Sequence, residues 1–436
     1  MNYLMCLNSL AYGGTQTFYV SLARELATRE HKVVFASSAG PLQEAVEPLC
    51  RHYSLNVFGR ETGIAYAISD KFLSKARRAT LLNVHPGLRD SFRVERNDLK
   101  GAIRRILQSG RTNGELHRWC RGTLGILASL PILGEIIQRE SIDCIVCSQG
   151  NPTLISYLAS RRRSSKSVFL PVVNSFFNSA DIFPPLGWKA ITRRAKHVVT
   201  TSHEISSYLA KFARVPKSKL IVTPNGVDTQ KFKPCAGAEQ LKFQLGIPTR
   251  NQVIVHVSSL VFQKLPMALD LIKAFEQILN ILPSTSLVIV GGGNAFDEAK
   301  GRADSLNQSL GRPVVIMLGN QDTLLPGVLN MAHIVVGIAR CAREAMACGK
   351  PVIVSGLTGY AGIVSEENID KVAATNFSGR QFDVKPNADL LAADTIYLLQ
   401  NKYRCEELGH FGRRYIEAHD SIHAAANLFE FLSGVK

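Results

Sequence analysis

The sequence predicts an α/β fold with two doubly wound domains, each built on a parallel sheet, that face each other across a cleft. Short apolar runs of strand length alternate with helical patterns in both halves of the chain. Glycine-rich turns follow several of these runs, as at positions 13–14, 291–293 and 337. With 436 residues, of which 46% are hydrophobic, the chain is long enough to bury two ordinary cores.

The first half begins with a strand, a glycine turn and a helix. The apolar run 3–7 predicts the strand, and apolar residues at every fourth position predict a helix from about 15 to 29. Between them, Gly13 and Gly14 allow the backbone to approach a ligand closely. A later helix is predicted to be capped by Ser202. Further strands of this half are predicted at 31–37, 53–58, 142–148, 168–173 and 197–201.

A loop of polar and aromatic residues follows the strand predicted at 168–173. It reads NSFFNSADIFPP and starts at Asn174. Loops at the carboxyl ends of parallel strands are where α/β proteins hold ligands. We therefore expect Asn174 and Phe177 to contact a ligand of the first domain.

Positive charge is concentrated in one segment of the first half. Residues 71–121 contain thirteen Lys and Arg and four Asp and Glu, within a formal charge of +16 for the whole chain. Such a segment should face something anionic. The stretch 98–107 is compatible with a basic amphipathic helix, for which a solvated face and contact with anionic lipid both stay open. Nucleic acid is the third alternative, although no interleaved aromatic residues accompany the charge.

Composition argues against several classes of protein. The nine cysteines are scattered and odd in number, which favours a reducing compartment, with Cys144 and Cys147 as buried structural residues. The apolar run 122–137 contains Pro131 and Glu135 and is shorter than the roughly 20 residues of a membrane span. The amino terminus lacks secretory features, so a cytoplasmic protein is expected. Asp-x-Asp, GxSxG, Walker and zinc-ligand patterns do not occur, so neither a metal site nor a cofactor is expected.

The second half repeats the alternation of strands and helices after a tight turn. The segment PNGVD at 224–228 contains an Asn-Gly pair and predicts a hinge. A strand at 253–257 leads into the loop 258–266, whose cation is Lys264. A triple glycine that ends at Gly293 follows the next strand. It serves either close contact with a phosphate or base, or a tight turn, and the sequence favours neither.

The most informative stretch of the chain is 334–364. An apolar run ends at Gly337, good helix formers follow, and Cys-Gly-Lys-Pro stops the helix before the next strand. Such a turn lies at the carboxyl ends of parallel strands, where the first helical turn offers free N–H groups to an anion. Glu344 is the carboxylate of this helix. Arg340 lies one turn earlier on the same side, so it is placed to bind a phosphate or to pair with Glu344.

Three stretches of the chain carry a family pattern. The ten residues from Glu344 read EAMACGKPVI, the opening of the chain contains YGGTQTFYVSLARELATREHKVVF, and PNGVD stands at 224–228. These stretches resemble the signatures of retaining family 4 glycosyltransferases of the GT-B fold, whose helix xEAMAxGxPVI binds a nucleotide sugar. The resemblance implies that Glu344 binds the ribose hydroxyls of the donor.

The same resemblance assigns further positions and shows departures. The loop after the strand at 253–257 is similar to VGRLxxxKG, whose two cations bind the donor pyrophosphate. Lys264 holds the lysine position, while Ser259 replaces the arginine. Gly337 stands where most members carry a glutamate, but with Arg340 it resembles a subset that reads GxGRxxxEAMA. The family also has a histidine near the position of Phe177, and this loop has none.

The resemblance implies a retaining hexosyltransferase that uses a UDP- or GDP-linked sugar donor and no metal. Its acceptor would be a glycan or a lipid-linked molecule, as in polysaccharide biosynthesis. We expect a cytoplasmic protein, peripheral on the inner face of the membrane through segment 71–121, that binds no nucleic acid. The candidate catalytic residues are Lys264, Arg340 and Glu344. The donor site would add Gly13, Gly14, Ser259, Gly293 and Gly337, and the acceptor would contact Asn174 and Phe177.

The predicted domain division follows from these assignments. Residues 1–224 would form the acceptor-side domain, with a basic helical insertion at about 61–130. Residues 225–419 would form the nucleotide-sugar domain. A last helix, at about 420–436, would pack back on the first domain.

Two other interpretations stay open. The departures at Ser259, Gly337 and Phe177 fit a catalytically degenerate GT-B protein that binds a sugar nucleotide or a partner without transfer. The basic segment fits a module for nucleic acid or a membrane surface in which the fold is incidental. Sugar transfer that is lost in Glu344→Ala would exclude the first alternative, and binding of a nucleoside diphosphate would argue against the second.

Overall fold

The computed structural model describes residues 1–11, 13–55, 129–148, 150–162, 166–176, 185–321 and 323–434. Several predictions fall outside these residues: the basic segment 71–121, the helix at 98–107, most of the predicted insertion 61–130, and Phe177. Within the described residues the chain forms two sheets, one in each half. The predicted α/β class with two doubly wound sheets is confirmed.

The first sheet has seven parallel strands in the order β3-β2-β1-β4-β5-β6-β7. The order reverses between β1 and β4, which is the doubly wound arrangement. The strands are β1 (Asn2–Ser9), β2 (Lys32–Ser38), β3 (Arg51–Ser54), β4 (Cys144–Ser148), β5 (Val168–Val173), β6 (Val198–Thr200) and β7 (Leu220–Val222). The helices of this half are Gly14–Thr28, Gln43–Val46, a described stretch at 129–139, Asn151–Arg162, Pro185–Arg194 and His203–Phe212, followed by a 3₁₀ turn at Lys217–Lys219.

The second sheet has six strands in the order β10-β9-β8-β11-β12-β13, of which only β13 is antiparallel to its neighbour. Its order reverses between β8 and β11. The strands are β8 (Gln252–Val257), β9 (Thr285–Val290), β10 (Val315–Leu318), β11 (Ile334–Val336), β12 (Val352–Ser355) and β13 (Tyr360–Ile363). The helices are Ala238–Gln244, Leu265–Ile281, Phe296–Ser309, Leu325–Met331, Ala339–Ala347, Ile369–Ala374, Ala388–Gln400 and Lys402–His419.

Apolar side chains cover both faces of each sheet. Two buried clusters lie in the first half and two in the second. This explains why the inner strands read as continuous apolar runs, because parallel strands are buried on both sides. Cys144 and Cys147 are buried in β4, as predicted. None of the described helices combines the length and apolar composition needed to cross a membrane.

One strand differs clearly from its prediction. The expected strand at 53–58 is β3, which runs from Arg51 to Ser54. The strand begins with the charged Arg51, whose Nη1 donates to the carboxylate of Glu140 at 2.6 Å. Glu140 is only 1% exposed. Tyr53 donates a hydrogen bond to the same carboxylate. A strand held by a polar cluster is not visible as an apolar run.

The chain crosses between the two halves twice, and the crossings lie side by side. The N–H of Val227 donates to the carbonyl of Asp420, and the N–H of Ile422 donates to the carbonyl of Val227, both at 2.8 Å. Gly226 has no room for a side chain, since a Cβ there would lie 2.7 Å from the Cα of Ile422. The last helix, Ile422–Ser433, begins two residues later than predicted and packs on the helix Gly14–Thr28 of the first half. The domain division at 224/225 stays a prediction.

Candidate functional site

The candidate donor site lies where the second sheet reverses its strand order. The loop 258–264 follows β8, and the turn at Gly337 follows β11, the strand beside it. Ligands of open α/β sheets bind in the crevice outside the carboxyl ends of the strands at such a reversal. The predicted donor residues of these two loops therefore lie in the place where this fold binds ligands.

The helix Ala339–Ala347 carries two of the three candidate catalytic residues. It starts with Ala339 at φ +52°, a left-handed conformation that glycine adopts more easily. The N–H of Ala339 donates to the carbonyl of Phe377 at 3.0 Å. The helix is closed by Gly349 at φ +70°, whose N–H donates to the carbonyl of Met346, while the N–H of Lys350 donates to that of Ala345. This is a Schellman cap, which explains the Gly-Lys-Pro stop signal in the sequence.

Arg340 and Glu344 form a buried ion pair on this helix. The Nε of Arg340 donates to Oε1 of Glu344 at 2.6 Å, and the two side chains are 12% and 6% exposed. The two roles predicted for Arg340, pairing with Glu344 and binding a phosphate, are therefore compatible. Pairing through Nε leaves the two Nη groups for another acceptor. Nη1 and Nη2 are buried, and neither has a hydrogen-bond partner among the described residues. Buried donors are normally satisfied, so this end of the guanidinium is suited to an anionic ligand.

Gly14 of the first domain lies opposite this ion pair. A Cβ at Gly14 would lie 3.7 Å from the Cβ of Arg340 and 3.8 Å from its Cδ, which is ordinary contact. Gly13 closes the first turn of the helix Gly14–Thr28, because its carbonyl accepts from Thr17 N–H at 2.9 Å. A Cβ at Gly13 would meet the side chain of Gln16 at 2.5 Å. The structure thus brings the glycine turn of the first half to the helix Ala339–Ala347 of the second.

Lys264 and Ser259 lie together on the loop after β8. The Nζ of Lys264 donates to Oγ of Ser259 at 3.1 Å, so the serine that replaces the expected arginine contacts the remaining cation. Burial lowers the pKa of Lys264 below its ordinary value. A diphosphate would offset that cost by supplying negative charge. Within the described ranges, no group of three or more His, Cys, Asp or Glu converges as a metal site would require.

The triple glycine packs against the Lys264 loop. A Cβ at Gly291 would lie 1.8 Å from the carbonyl oxygen of Ser258, and one at Gly293 would lie 2.3 Å from that of Leu260. Both glycines have positive φ, at +135° and +149°. These two glycines therefore serve the close approach of one loop backbone to another. Gly292 lies instead against the side-chain amide of Asn320.

Gly337 is required by its surroundings. A Cβ at this position would lie 2.8 Å from Sγ of Cys341 and 3.9 Å from the carbonyl of Val257. A glutamate at this position would need the buried Cys341 to move. The departure at Gly337 and the presence of Cys341 one turn later are thus structurally linked.

His256 is a polar residue of this site that sequence reasoning missed. It lies near the end of β8, is 1% exposed, and its Nδ1 is 2.8 Å from the carbonyl of Val336. Its Nε2 is buried without a partner among the described residues. Burial lowers the pKa of His256, and the charge of Lys264 lowers it further. The available signal was a histidine within an otherwise apolar strand.

The acceptor-side candidates are only partly described. Asn174 directly follows β5, and its carbonyl accepts from Oγ1 of Thr201 at 3.4 Å. Phe177 lies outside the described residues. Phe176 is 38% exposed and forms an edge contact with Tyr208, with ring centres 4.9 Å apart. Above the Phe176 ring, at 5.4 Å from its centre, lies the guanidinium of Arg380 from the second half.

Two protein-family models match consecutive parts of the chain. Residues 104–231 match the model described as Glycosyltransferase Family 4. Residues 237–415 match the model described as Glycosyl transferases group 1. The two matches meet close to the predicted hinge, and the second contains every candidate donor residue of the second half.

Two characterised relatives are similar over somewhat more than half of the chain. One is the UDP-Gal:alpha-D-GlcNAc-diphosphoundecaprenol alpha-1,3-galactosyltransferase of Escherichia coli, 25% identical over 255 residues, which are 55% of this chain and 65% of that protein. The other is the GDP-mannose-dependent alpha-(1-6)-phosphatidylinositol monomannoside mannosyltransferase of Mycolicibacterium smegmatis, 27% identical over 276 residues, which are 57% and 68%. The first match thus covers just under two thirds of the relative's own length.

Solved structures share the fold over the whole chain at low sequence identity. A glycosyltransferase from Rickettsia africae matches with a TM-score of 0.69 and 17% identity, covering 100% of this chain and 99% of that one. HepE from Anabaena in complex with UDP matches with a TM-score of 0.65 and 15% identity, covering 99% and 100%. WaaG, a glycosyltransferase involved in lipopolysaccharide biosynthesis, matches with a TM-score of 0.57 and 12% identity, covering 99% and 100%.

These matches agree with the sheet order of both halves. Both halves are doubly wound, and their reversal points approach each other at Gly14 and Arg340. The chain therefore has the GT-B fold that its glycosyltransferase neighbours share, and its two halves match the models described as Glycosyltransferase Family 4 and Glycosyl transferases group 1 in turn.

Proposed function

We propose that this protein is a glycosyltransferase that moves a sugar from a nucleotide-diphosphate donor to a glycan or lipid-linked acceptor. The transfer would occur with retention at the anomeric carbon and without a metal ion. The second domain binds the donor and the first binds the acceptor. UDP or GDP would be the nucleotide, since the two characterised relatives are named for UDP- and GDP-linked donors.

One observation carries the proposal. The buried Arg340–Glu344 pair lies at the reversal point of the second sheet, and two Nη groups of Arg340 have no partner among the described residues. An ion pair formed only for stability would leave few buried donors unsatisfied. A diphosphate supplies the acceptors that these Nη groups lack, and Glu344 beside it accepts from ribose hydroxyls.

The chemistry requires stabilisation of a departing diphosphate. As the bond between the anomeric carbon and the diphosphate oxygen breaks, negative charge grows on the nucleotide and positive charge grows on the sugar. Arg340 and Lys264 stabilise the departing oxygens. The acceptor hydroxyl forms the new bond to the anomeric carbon from the same face, so the departing diphosphate is the nearest base for its proton. In this scheme the protein positions the reactants and stabilises the charge that develops on them, and none of its side chains needs to act as a base.

The acceptor side remains a proposal from sequence. Asn174 at the end of β5 faces the acceptor, and Phe177 joins it. The relatives are named for diphosphoundecaprenol-linked and phosphatidylinositol-linked acceptors, which supports a lipid-linked acceptor here. Such an acceptor places the protein on the cytoplasmic face of a membrane, with segment 71–121 against anionic headgroups.

A ligand panel followed by a transfer assay tests the function. UDP, GDP and ADP are compared by thermal shift, because a ligand that binds only the folded state raises its melting temperature. The sugar nucleotide of the best binder is then incubated with lipid-linked acceptors, and NMR of the product gives the anomeric configuration. We expect transfer with retention by the wild type, loss of transfer in Glu344→Ala, and little change in the control Glu298→Ala on another helix of the same domain.

The degenerate alternative gives a different result. If wild type binds a nucleoside diphosphate but neither transfers nor hydrolyses any sugar donor, the protein is a binding protein and the proposed transfer is wrong. If it binds no nucleoside diphosphate at all, the proposed donor site itself is wrong. Salt-sensitive binding to duplex DNA without nucleotide binding would then favour the nucleic-acid module.

A further inference from the structure

We propose that Arg343 and Arg380 are positioning residues that connect the donor helix to the first domain through the segment 376–380. This inference rests on the proposed donor site at Arg340 and Glu344. The segment 376–380 contacts the donor helix at one end and the first domain at the other. Occupation of the donor site and the relative orientation of the two domains are therefore coupled.

The connection is buried at the end where it meets the helix Ala339–Ala347, which carries Glu344. Arg343, which directly precedes Glu344, is 1% exposed. Its Nη1 donates to Oδ1 of Asn376 at 2.6 Å, and its guanidinium carbon lies 4.6 Å from the centre of the Phe377 ring. The carbonyl of Phe377 also accepts the N–H of Ala339 at the start of the helix. The segment thus contacts the donor helix on both sides of Arg340.

The backbone of the segment is held in an unusual shape. Asn376 and Phe377 are consecutive non-glycine residues with φ of +57° and +54°. Such conformations persist only where the surroundings hold them, and they cluster at functional sites. The next residues pack against glycine backbone: a Cβ at Gly356 would lie 2.0 Å from the carbonyl of Ser378, and one at Gly359 would lie 2.1 Å from that of Gly379. Because its backbone is held in this way, we expect a shift of the segment at the helix Ala339–Ala347 to move Arg380 at its other end.

The first-domain end of the connection is Arg380. Its Nε and Nη2 donate to the two carboxylate oxygens of Glu204, at 3.1 and 2.6 Å. Glu204 lies in the first turn of the helix His203–Phe212. The same guanidinium lies 5.4 Å from the centre of the Phe176 ring, two residues after Asn174. Arg380 thus contacts the first domain beside the proposed acceptor loop.

Arg343 also contacts the place where the chain crosses between domains. Its Nε donates to Oδ2 of Asp420 at 2.6 Å, and the carbonyl of Asp420 accepts the N–H of Val227 from the other crossing. A cavity of about 410 Å³ borders Asp420 and is lined by both domains. One arginine next to Glu344 is therefore bonded to the crossing and to the segment that reaches the first domain.

Arg380→Gln is the first test, because Arg380 is partly exposed and its removal should leave the fold intact. Arg302→Gln is the matched control, since Arg302 pairs with Glu276 on the surface of the second domain alone. Both proteins and the wild type are compared by UDP titration calorimetry, by small-angle scattering with and without UDP, and by kcat and KM. We expect Arg380→Gln to weaken UDP binding by about two- to fivefold, as the loss of an exposed ion pair allows. We also expect UDP to lower the radius of gyration of the wild type, which we call compaction, and to lower it less in Arg380→Gln.

A charge exchange separates positioning from a merely structural role. The double variant Glu204→Arg with Arg380→Glu should recover compaction and kcat, whereas each single exchange should lose both. Arg343→Lys should lower kcat more than it raises the KM for the donor, because a lysine lacks the separate nitrogens with which the guanidinium donates to Asp420 and Asn376 at once. Equal effects of Arg380→Gln and Arg302→Gln on UDP-induced compaction and kcat would overturn the inference.

The failure of the proposed function has a different signature. If wild type binds none of the nucleoside diphosphates, the donor site is wrong, and scattering of the unliganded proteins alone tests the connection. In that case a broader distribution of domain orientations in Arg380→Gln than in Arg302→Gln supports the connection, and identical scattering curves overturn it.

Discussion

The helix Ala339–Ala347 carries two arginine–carboxylate pairs with nearly the same geometry and different surroundings. In each, an arginine Nε donates to a carboxylate oxygen at 2.6 Å. Arg340 pairs with Glu344 inside the helix, while Arg343 pairs with Asp420, which lies 77 residues later in the chain. The first pair is 12% and 6% exposed, and the second is 1% and 2% exposed.

The remaining donors show how the two pairs differ in role. Arg343 uses Nη1 as well, for Asn376, and lies over the Phe377 ring, so that only its Nη2 lacks a hydrogen-bond partner among the described residues. Arg340 leaves both Nη groups without partners among the described residues and lies opposite Gly14 of the other domain, where a Cβ would reach its side chain. A buried ion pair is weak evidence for stability by itself. The number of donors left over is the basis for proposing that the first pair binds a ligand while the second joins two segments of the chain.

The largest expected effect comes from breaking the interior pair. Arg343→Ala leaves Asp420 buried and unpaired, and we expect it to lower the free energy of unfolding by about 3–5 kcal/mol. Chemical denaturation followed by circular dichroism measures this. Arg343→Met combined with Asp420→Leu removes both charges and should recover most of the loss. If the double variant is no more stable than the single one, packing around Phe377 and not charge accounts for the effect.

The next largest effect concerns the Arg340–Glu344 pair, called the cleft pair below. Arg340→Ala should reduce kcat/KM by about 10²–10³, the cost of removing one group that stabilises charge in a transition state. Its free energy of unfolding should fall less than that of Arg343→Ala, because the Arg340–Glu344 pair is more exposed to water and its Nη groups make no second hydrogen bond to protein among the described residues. Arg302→Ala serves as the control for loss of a surface arginine. A large loss of stability with unchanged kcat/KM would reverse the roles assigned to the two pairs.

The second cation of the cleft should give a pH dependence that the interior pair lacks. Burial lowers the pKa of Lys264, so this amine loses its proton at a lower pH than an exposed lysine does. Only the protonated form attracts a diphosphate. UDP affinity should therefore fall as the pH rises through this lowered pKa, by about tenfold in total, which corresponds to 1.4 kcal/mol.

Lys264→Met provides the control for this pH dependence. The variant should bind UDP more weakly at neutral pH, and its affinity should stay flat over the range in which the wild type weakens. Calorimetric titrations at several pH values measure both proteins. An equally steep loss in Lys264→Met would mean that another group titrates.

Local pattern was enough to predict much of the fold. The bounds of β5 agree with the strand predicted at 168–173 to the residue, because apolar runs record burial directly. The Arg340–Glu344 contact was also accessible, since residues four apart share a helix face. The strand at Arg51–Ser54 was misplaced because a polar cluster around Glu140 defines it.

Contacts between distant parts of the chain could not be predicted in this way. Nothing near Arg343 in the sequence points to Asp420, and only the fold brings them together. The left-handed conformation of Asn376 and Phe377 is equally invisible, since neither is glycine. The triple glycine was left open between ligand contact and tight packing, and at Gly291 and Gly293 the answer came from the neighbouring loop backbone. The pattern of residue types predicts which positions are buried, but it does not predict which distant residues contact each other.

The smallest expected effect restores the cation that resemblance leads one to expect at Ser259. Oγ of Ser259 lies 3.1 Å from Nζ of Lys264, so an arginine there would add a second positive charge to the loop. Without ligand the two cations repel each other, and we expect a slightly lower melting temperature. With UDP bound, the extra charge meets the diphosphate, and the affinity should rise by about three- to tenfold.

Ser259→Gln is the matched variant, because it replaces the hydroxyl with a long polar side chain that carries no charge. Calorimetric titration with UDP and with uridine compares the three proteins, and the gain in Ser259→Arg should appear for UDP alone, since uridine has no phosphates. If both arginines bind the same diphosphate, the gain should also vanish in the double variant Ser259→Arg with Arg340→Ala. Without Arg340, the diphosphate would no longer be held where the new side chain at position 259 can reach it. An equal gain for uridine, or a gain in Ser259→Gln, would place the nucleotide's phosphates away from this loop and leave the cleft pair as the sole anion site among the described residues.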